Sequence, residues 1–293
     1  MREPLSRALT WVIAGLCAAV GFSARADEPL FGYVNTTDLL PRDKVQIEQW
    51  ATWRDSDGPG RFHRLEGRTE VDYGLTSDLQ VTAYLNYSRQ SARLDAAAAR
   101  TAGAAGSVDI HSGRLDGVTA EAIWRVASPY LAPVGAALLA DYSFGPDQPV
   151  FGVKGIVQKN LLDDTLVLAA NLRLDVGQRE SLPAQAGRPA AWRHVTRLEA
   201  DLGASYRFRP NWSAALELRA RDRYAGGAWR DTAIYAGPTL HYGAQRWFMT
   251  LSALGRLHGA HRANRPGDAA GALSYLAERT RADGVRFRIG RTF

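Results

Sequence analysis

Residues 61–87 read RFHRLEGRTEVDYGLTSDLQVTAYLNY, and apolar and polar positions alternate along them. Leu65, Gly67, Thr69, Val71 and Tyr73 take one parity; Arg64, Glu66, Arg68, Glu70 and Asp72 take the other. Successive side chains of a strand point to opposite faces, so one face is apolar and the other ionic. After a break at 74–78 the pattern resumes, with Leu79, Val81, Ala83, Leu85 and Tyr87 against Gln80, Thr82, Tyr84, Asn86 and Ser88. A helix would need apolar residues at i, i+3 and i+4, which are missing. The stretch predicts a β-hairpin with one greasy and one charged surface.

The same device recurs. Around this hairpin, which supplies strands two and three, alternation predicts strands at 44–54, 118–126, 134–144, 150–159, 165–176, 197–208, 212–221, 232–242, 247–257 and 283–293. Gln49 breaks the outward pattern of the first strand, and Pro238 inside the tenth predicts a bulge or an open place in the ladder. Residues 55–60 (DSDGPG) read as a turn, and 91–117, 177–192 and 259–280 as long loops, the first carrying Asp109, His111 and Asp116. Connections after even-numbered strands are short, while those after strands three, seven and eleven are long. Membrane barrels of bacteria show an even strand number, short periplasmic turns and long outer loops. The expected fold is therefore an all-β transmembrane antiparallel barrel of about twelve strands, with both termini in the periplasm.

Aromatic residues fit that register. Tyr73, Tyr130, Tyr206, Phe208, Trp212, Tyr242, Trp247 and Phe293 fall at one set of strand ends; Tyr87, Tyr142, Phe144, Phe151, Tyr224 and Trp229 fall near the other. Rings with an apolar body and a polar edge belong at headgroup level.

Ahead of the strands, residues 1–26 read as a secretory signal peptide. Arg2 and Arg7 precede an apolar run over 8–22, and Ala24-Arg25-Ala26 offers a cleavage site. Cys17, the single cysteine, lies inside this segment without the small residue that lipidation needs before it. The mature chain would lack cysteine, which excludes disulfides and thiolate metal sites. Residues 27–43 show no period and read as a solvated periplasmic leader, with a short lumen plug as the sharper alternative. Residues 44–293 form the barrel.

Charge narrows the function classes. The chain has 36 Lys+Arg and 30 Asp+Glu; without Arg2, Arg7, Arg25 and Glu3 the counts fall to 33 and 29, a net charge of +4. That excess is small and dispersed, so nucleic acid is not an expected partner. A mean hydropathy of −0.25 suits a barrel whose strands turn one face to a polar lumen.

Two resemblances follow. The chain ends in Phe293, with Ile289, Phe287 and Val285 at alternate positions before it. This is similar to the terminal-strand signal of Gram-negative outer-membrane proteins and implies the barrel-assembly machinery as a partner, beside outer-membrane lipids. Arg291 departs from that signal, at a place where its long stem can snorkel to the interface. Tyr33-Val-Asn-Thr-Thr-Asp-Leu-Leu-Pro41, Glu48-Gln-Trp50 and Tyr73-Gly-Leu-Thr resemble an uncharacterised family of proteobacterial outer-membrane β-barrels. That resemblance implies a barrel fold alone, with no substrate and no catalytic residue.

Some barrels of this size are lipid-modifying enzymes that set His and Ser two apart on one strand face, so that the imidazole activates the hydroxyl. His63, His111, His194, His241, His258 and His261 all lack that H-x-S spacing; His194-Val195-Thr196 comes nearest and reads as a polar strand start. His258 and His261 lack a third ligand for a metal. No catalytic, cofactor or metal site is expected. The remaining candidates are the charges of the lumen parity: Arg64, Glu66, Arg68, Glu70, Asp72, Glu121, Arg125, Lys154, Arg173, Asp175, Glu199, Asp201, Glu217, Arg219, Arg221, Arg286 and Arg288. They form either an ion-pair network that fills a narrow barrel or a polar conduit, and small barrels are usually filled by side chains. Arginines of strands two and twelve should approach one another across strand one, with Glu48, Glu66, Glu70 and Glu217 as partners. The expected function is a non-enzymatic outer-membrane barrel protein, with passage of small solutes through a narrow charged lumen. A lipid-modifying enzyme and a surface-interaction barrel are the alternatives.

Overall fold

The computed structural model describes residues 29–58, 60–94, 108–145, 149–181, 191–261 and 282–293. The expected signal peptide lies outside them. The described chain forms one closed barrel of twelve antiparallel strands: β1 (Val45–Gly58), β2 (Gly60–Gly74), β3 (Leu79–Leu94), β4 (Val108–Ala127), β5 (Gly135–Phe144), β6 (Val150–Leu161), β7 (Leu166–Ser181), β8 (Ala191–Arg209), β9 (Trp212–Ala225), β10 (Ala228–Gly243), β11 (Trp247–His261) and β12 (Ala282–Thr292). Each strand pairs with its sequence neighbours, and β1 closes on β12 from Gln46↔Thr292 to Trp53↔Val285. Closure pairs every strand edge, as a spanning sheet needs in hydrocarbon.

The alternation holds around the wall. Leu138, Leu172, Leu202 and Leu216 are exposed on the outside, while Thr82, Asp201 and Thr250 are buried within. The outer face therefore carries the apolar residues, the reverse of a water-soluble barrel. Gln49, the exception, sits on the outer face with its amide fully used. Its Oε1 accepts from the Thr69 hydroxyl, and its Nε2 donates to Tyr87 Oη and to the Trp50 and Arg68 carbonyls. A polar group facing hydrocarbon is tolerated when its bonds are made internally.

The strands run further than their apolar stretches. The expected turn at 55–60 is mostly ladder, from Asp55↔His63 to Gly58↔Gly60. The expected loop 91–117 contains the end of β3 and the start of β4, so Asp109, His111 and Asp116 are strand residues. β7 and β8 likewise extend to Ser181 and from Ala191, into the expected loop 177–192. Polarity marks where the wall leaves the apolar layer, and backbone pairing continues past it. Cross-strand pairs such as Arg93–Asp109, 3.1 Å apart, decorate these extensions. At Pro238 the ladder to β9 continues, but that to β11 lapses between Ala236↔Gly255 and Thr239↔Ser252.

Residues 29–41 overturn the solvated-leader expectation. Phe31, Val34, Thr37, Leu39 and Leu40 are buried inside the barrel. The segment enters beside Thr250 of β11, reaches Lys154 of β6 with Asn35, and returns to the rim, where Asp43 N–H donates to the Gly74 carbonyl. It is an arch inserted from the end where β1 starts and where Phe293 lies. The lumen wall accommodates it with apolar residues on the inward parity. Phe31 and Val34 pack on Val167, Ala169 and Ala215; Leu39 packs on Ile123, Ala137, Leu139 and Ile156. Gly203 faces the Phe31 ring so closely that a Cβ there would lie 2.6 Å from it.

Candidate functional site: the plugged lumen

The arch is held by polar side chains from around the wall. Its residues are largely buried inside the barrel, so each of its amide groups needs a partner. Glu217 of β9 supplies the central one. Its carboxylate accepts from the N–H groups of Gly32 (2.8 Å), Tyr33 (2.8 Å) and Val34 (3.2 Å), and from the Thr239 hydroxyl. Three successive amides converging on one carboxylate form an anion nest, here filled by the barrel's own side chain.

Further along, Asn171 and Asn35 exchange bonds: Asn35 N–H donates to Oδ1 of Asn171 (2.7 Å), whose Nδ2 donates to the Asn35 carbonyl (2.9 Å). Gln158 Oε1 accepts from both the N–H and the hydroxyl of Thr37, and its Nε2 donates to Asp38. Gln80 Oε1 accepts from Leu40 N–H, and Tyr130 Oη donates to Asp38. Arg286 and Arg288 donate to the Gly32 and Phe31 carbonyls, and Lys154 donates to Asn35 Oδ1. Burial pushes the Asp38 carboxyl above the ordinary carboxylate range, against the lowering effect of its bonds from Gln158 and Tyr130.

The lumen charges sort into pairs around this arch. Arg173 bridges Asp141 and Asp175, at 2.7 Å to each, and Arg197 also reaches Asp175 at 3.2 Å. Arg219 sits 2.6 Å from Glu199 and 3.5 Å from Asp201. Arg54 and Arg64 both hold Glu66, and Arg64 lies 3.8 Å from Asp116. Arg288 meets Glu48 at 2.7 Å, and Arg68 faces Glu70 at 3.6 Å. Asp72 accepts from the Thr82 hydroxyl, Glu121 accepts from Tyr84 Oη, and Arg221 donates to Tyr235 Oη.

Three placements differ from the sequence expectation. Arg125 lies at the rim, where it clamps the β2–β3 turn through Asp78 (3.1 Å) and the Ser77 carbonyl (2.6 Å). Glu217, expected to pair with arginine, instead holds the arch. The arginines of β2 and β12 do converge, with an aromatic ring between them: Arg68, Arg286 and Arg288 lie 4.5, 5.0 and 3.9 Å from the Trp50 ring centre. Tyr33 of the arch likewise stands between Arg286 (3.8 Å) and Arg219 (4.8 Å). Ring faces carry negative charge density, so they separate like charges that carboxylates alone do not neutralise. Trp50, Tyr84 and Arg197 were missed as site residues, although they sit on the lumen parity of their strands. At the end of the chain, Phe293 N–H donates to the Val45 carbonyl, with Arg291 stacked 5.1 Å from its ring.

Above the arch the lumen stays partly open. A chamber of about 390 Å³ is lined by Trp50, Arg64, Arg68, Tyr84, Arg173 and Arg197, among others. Beside the arch, a second space of about 290 Å³ runs along the wall of Glu48, Glu70 and Asp72.

This architecture matches solved membrane barrels. An outer membrane channel from Pseudomonas putida F1 superposes with a TM-score of 0.64 at 13% identity, over 91% of this chain and 99% of that one. The β domain of the Bordetella autotransporter BrkA gives 0.54 at 8% identity, over 86% and 99%. At such identities the likeness establishes the fold alone, a closed antiparallel β-barrel like those of outer-membrane proteins. No curated protein matches the chain in sequence. A family of unknown function, DUF6662, matches residues 23–293, and the chain belongs to it.

Proposed function

We propose that the protein is a non-enzymatic channel of the bacterial outer membrane, for small solutes, that rests closed with its N-terminal segment seated in the lumen. In this reading the termini face the periplasm and the arch plugs the channel from that side. The observation that carries it is Glu217, whose carboxylate binds three successive backbone amides of the arch. Such a seat is reversible: water or solute can replace hydrogen bonds, whereas the wall cannot be reopened. The chamber above the arch supplies the vestibule that a conduit needs. The contact between His241 Nδ1 and the Thr250 hydroxyl (2.9 Å) brings together the groups of a hydrolase pair. The Thr250 hydroxyl donates to the Pro29 carbonyl at the start of the arch, so the pair is spent on holding the arch.

Planar-bilayer recordings of the purified protein test this reading. The unmodified protein should show small, infrequent openings. Glu217→Ala leaves three amides without their acceptor, at ~1–3 kcal/mol for each buried group, and should raise the open fraction strongly. Gly203→Leu displaces the Phe31 ring by a different route and should do the same. Two folded variants that open no more often than the parent would refute the arch as the closing element, and no openings in any of the three would refute the channel.

A further inference from the structure

We infer that the chamber above the arch is a binding site for a small organic carboxylate. This rests on the channel reading and gives its solute a chemical class. Six arginines line the chamber (Arg64, Arg68, Arg114, Arg173, Arg197 and Arg286) against four carboxylates, Glu66, Asp116, Asp141 and Asp175. The excess is two positive charges, and the ion pairs show where it resides. Arg173 is spent between Asp141 and Asp175, Arg64 on Glu66 and Asp116, and Arg114 on Asp116 at 2.6 Å. Arg286 donates to Thr52 and to the arch.

Arg68 has its carboxylate no closer than 3.6 Å, and Arg197 shares one with Arg173. Arg197 keeps 46% of its side chain open, and its one ion pair is to the Asp175 that Arg173 already holds more closely. Arg68 is clamped between the Tyr84 ring at 3.9 Å and the Trp50 ring at 4.5 Å, with Nε donating to Asn86 and Glu70 no closer than 3.6 Å. That clamp fixes the guanidinium plane before any ligand arrives, which lowers the ordering cost of binding. A planar guanidinium with open N–H groups matches a carboxylate in two-point geometry. Both rings beside it are already covered by arginine, so the chamber offers no stacking platform and selects charge over aromatic surface. Its volume of about 390 Å³ lies in the range of small-molecule sites.

The test reads binding without conduction, so it stands whether or not the channel opens. Calorimetric titration of the detergent-solubilised full-length protein uses D-glucuronate as probe and D-glucose as its uncharged counterpart. Glucuronate should bind saturably and weaken with added salt, while glucose gives no saturable heat. Arg68→Gln together with Arg197→Gln should weaken glucuronate at least tenfold. Arg207→Gln, beside the β8–β9 turn at the opposite rim, should leave binding unchanged. Heat-dependent gel mobility verifies that each variant is folded. Absence of saturable glucuronate binding, or equal affinity in the double variant, overturns the site. If binding is found but Glu217→Ala stays silent in bilayers, the channel reading fails and the site survives.

Discussion

At the scale of single residues, parity decides what a position tolerates. Leu172 is 66% exposed on the outer face at the middle of β7, next to Arg173, which is locked between two carboxylates on the inner face. Leu172→Arg should cost ~2–4 kcal/mol, the range for an arginine at the midplane of a barrel. Leu172→Ala should cost far less, because it removes a group packed only by lipid. Urea unfolding in lipid vesicles measures both, and equal tolerance would contradict the membrane-facing assignment. Parity was legible because each strand alternates over several residues. Gln49 shows its limit: it reads as an error until Thr69 on β2 and Tyr87 on β3 are seen to satisfy it.

At the scale of elements, the leader is the segment whose role follows from its surroundings. Asp38 titrates above the ordinary carboxylate range when docked, because it is buried between Gln158 and Tyr130. The docked arch then binds more protons than the released one between the ordinary value and the raised one. Docking is therefore strongest below the ordinary value and weakens as pH rises through the raised value. Hydrogen exchange at Thr37–Leu40 should accelerate over that window, and Asp38→Asn should flatten this part of the pH dependence. Exchange that slows with rising pH in the parent relative to Asp38→Asn would contradict the assignment. A trace of the arch was present in the sequence. Ile123, Leu139, Ile156 and Val167 sit on the lumen parity, where a water-filled conduit has no use for them, and Leu39 and Phe31 with its neighbours cover them.

At the scale of the whole molecule, closure governs behaviour. The β1–β12 pairing leaves no strand edge open among the described residues. Opening the barrel in hydrocarbon would expose two rows of unpaired backbone groups at once. The folded protein should therefore resist SDS at room temperature and change its gel mobility only on boiling. Recovery of the native chain in detergent-free soluble fractions would contradict a membrane barrel.

Period-two alternation, turn composition and the spacing of aromatic residues were enough to determine twelve strands, their faces and their closure. Each of these is a local property, written within ten or so residues and enforced by one solvent on each side of the wall. The arch, the extension of the strands beyond the apolar layer, and the sharing of Trp50 by three arginines depend on residues far apart in the chain. Glu217 and Gly32 lie 185 positions apart, and Arg286 and Gly32 lie 254 apart. A charge on the lumen parity has the same pattern whether it pairs with another charge, binds backbone or faces open space. Only the closed barrel brings the candidate partners to one place and lets distance choose between them.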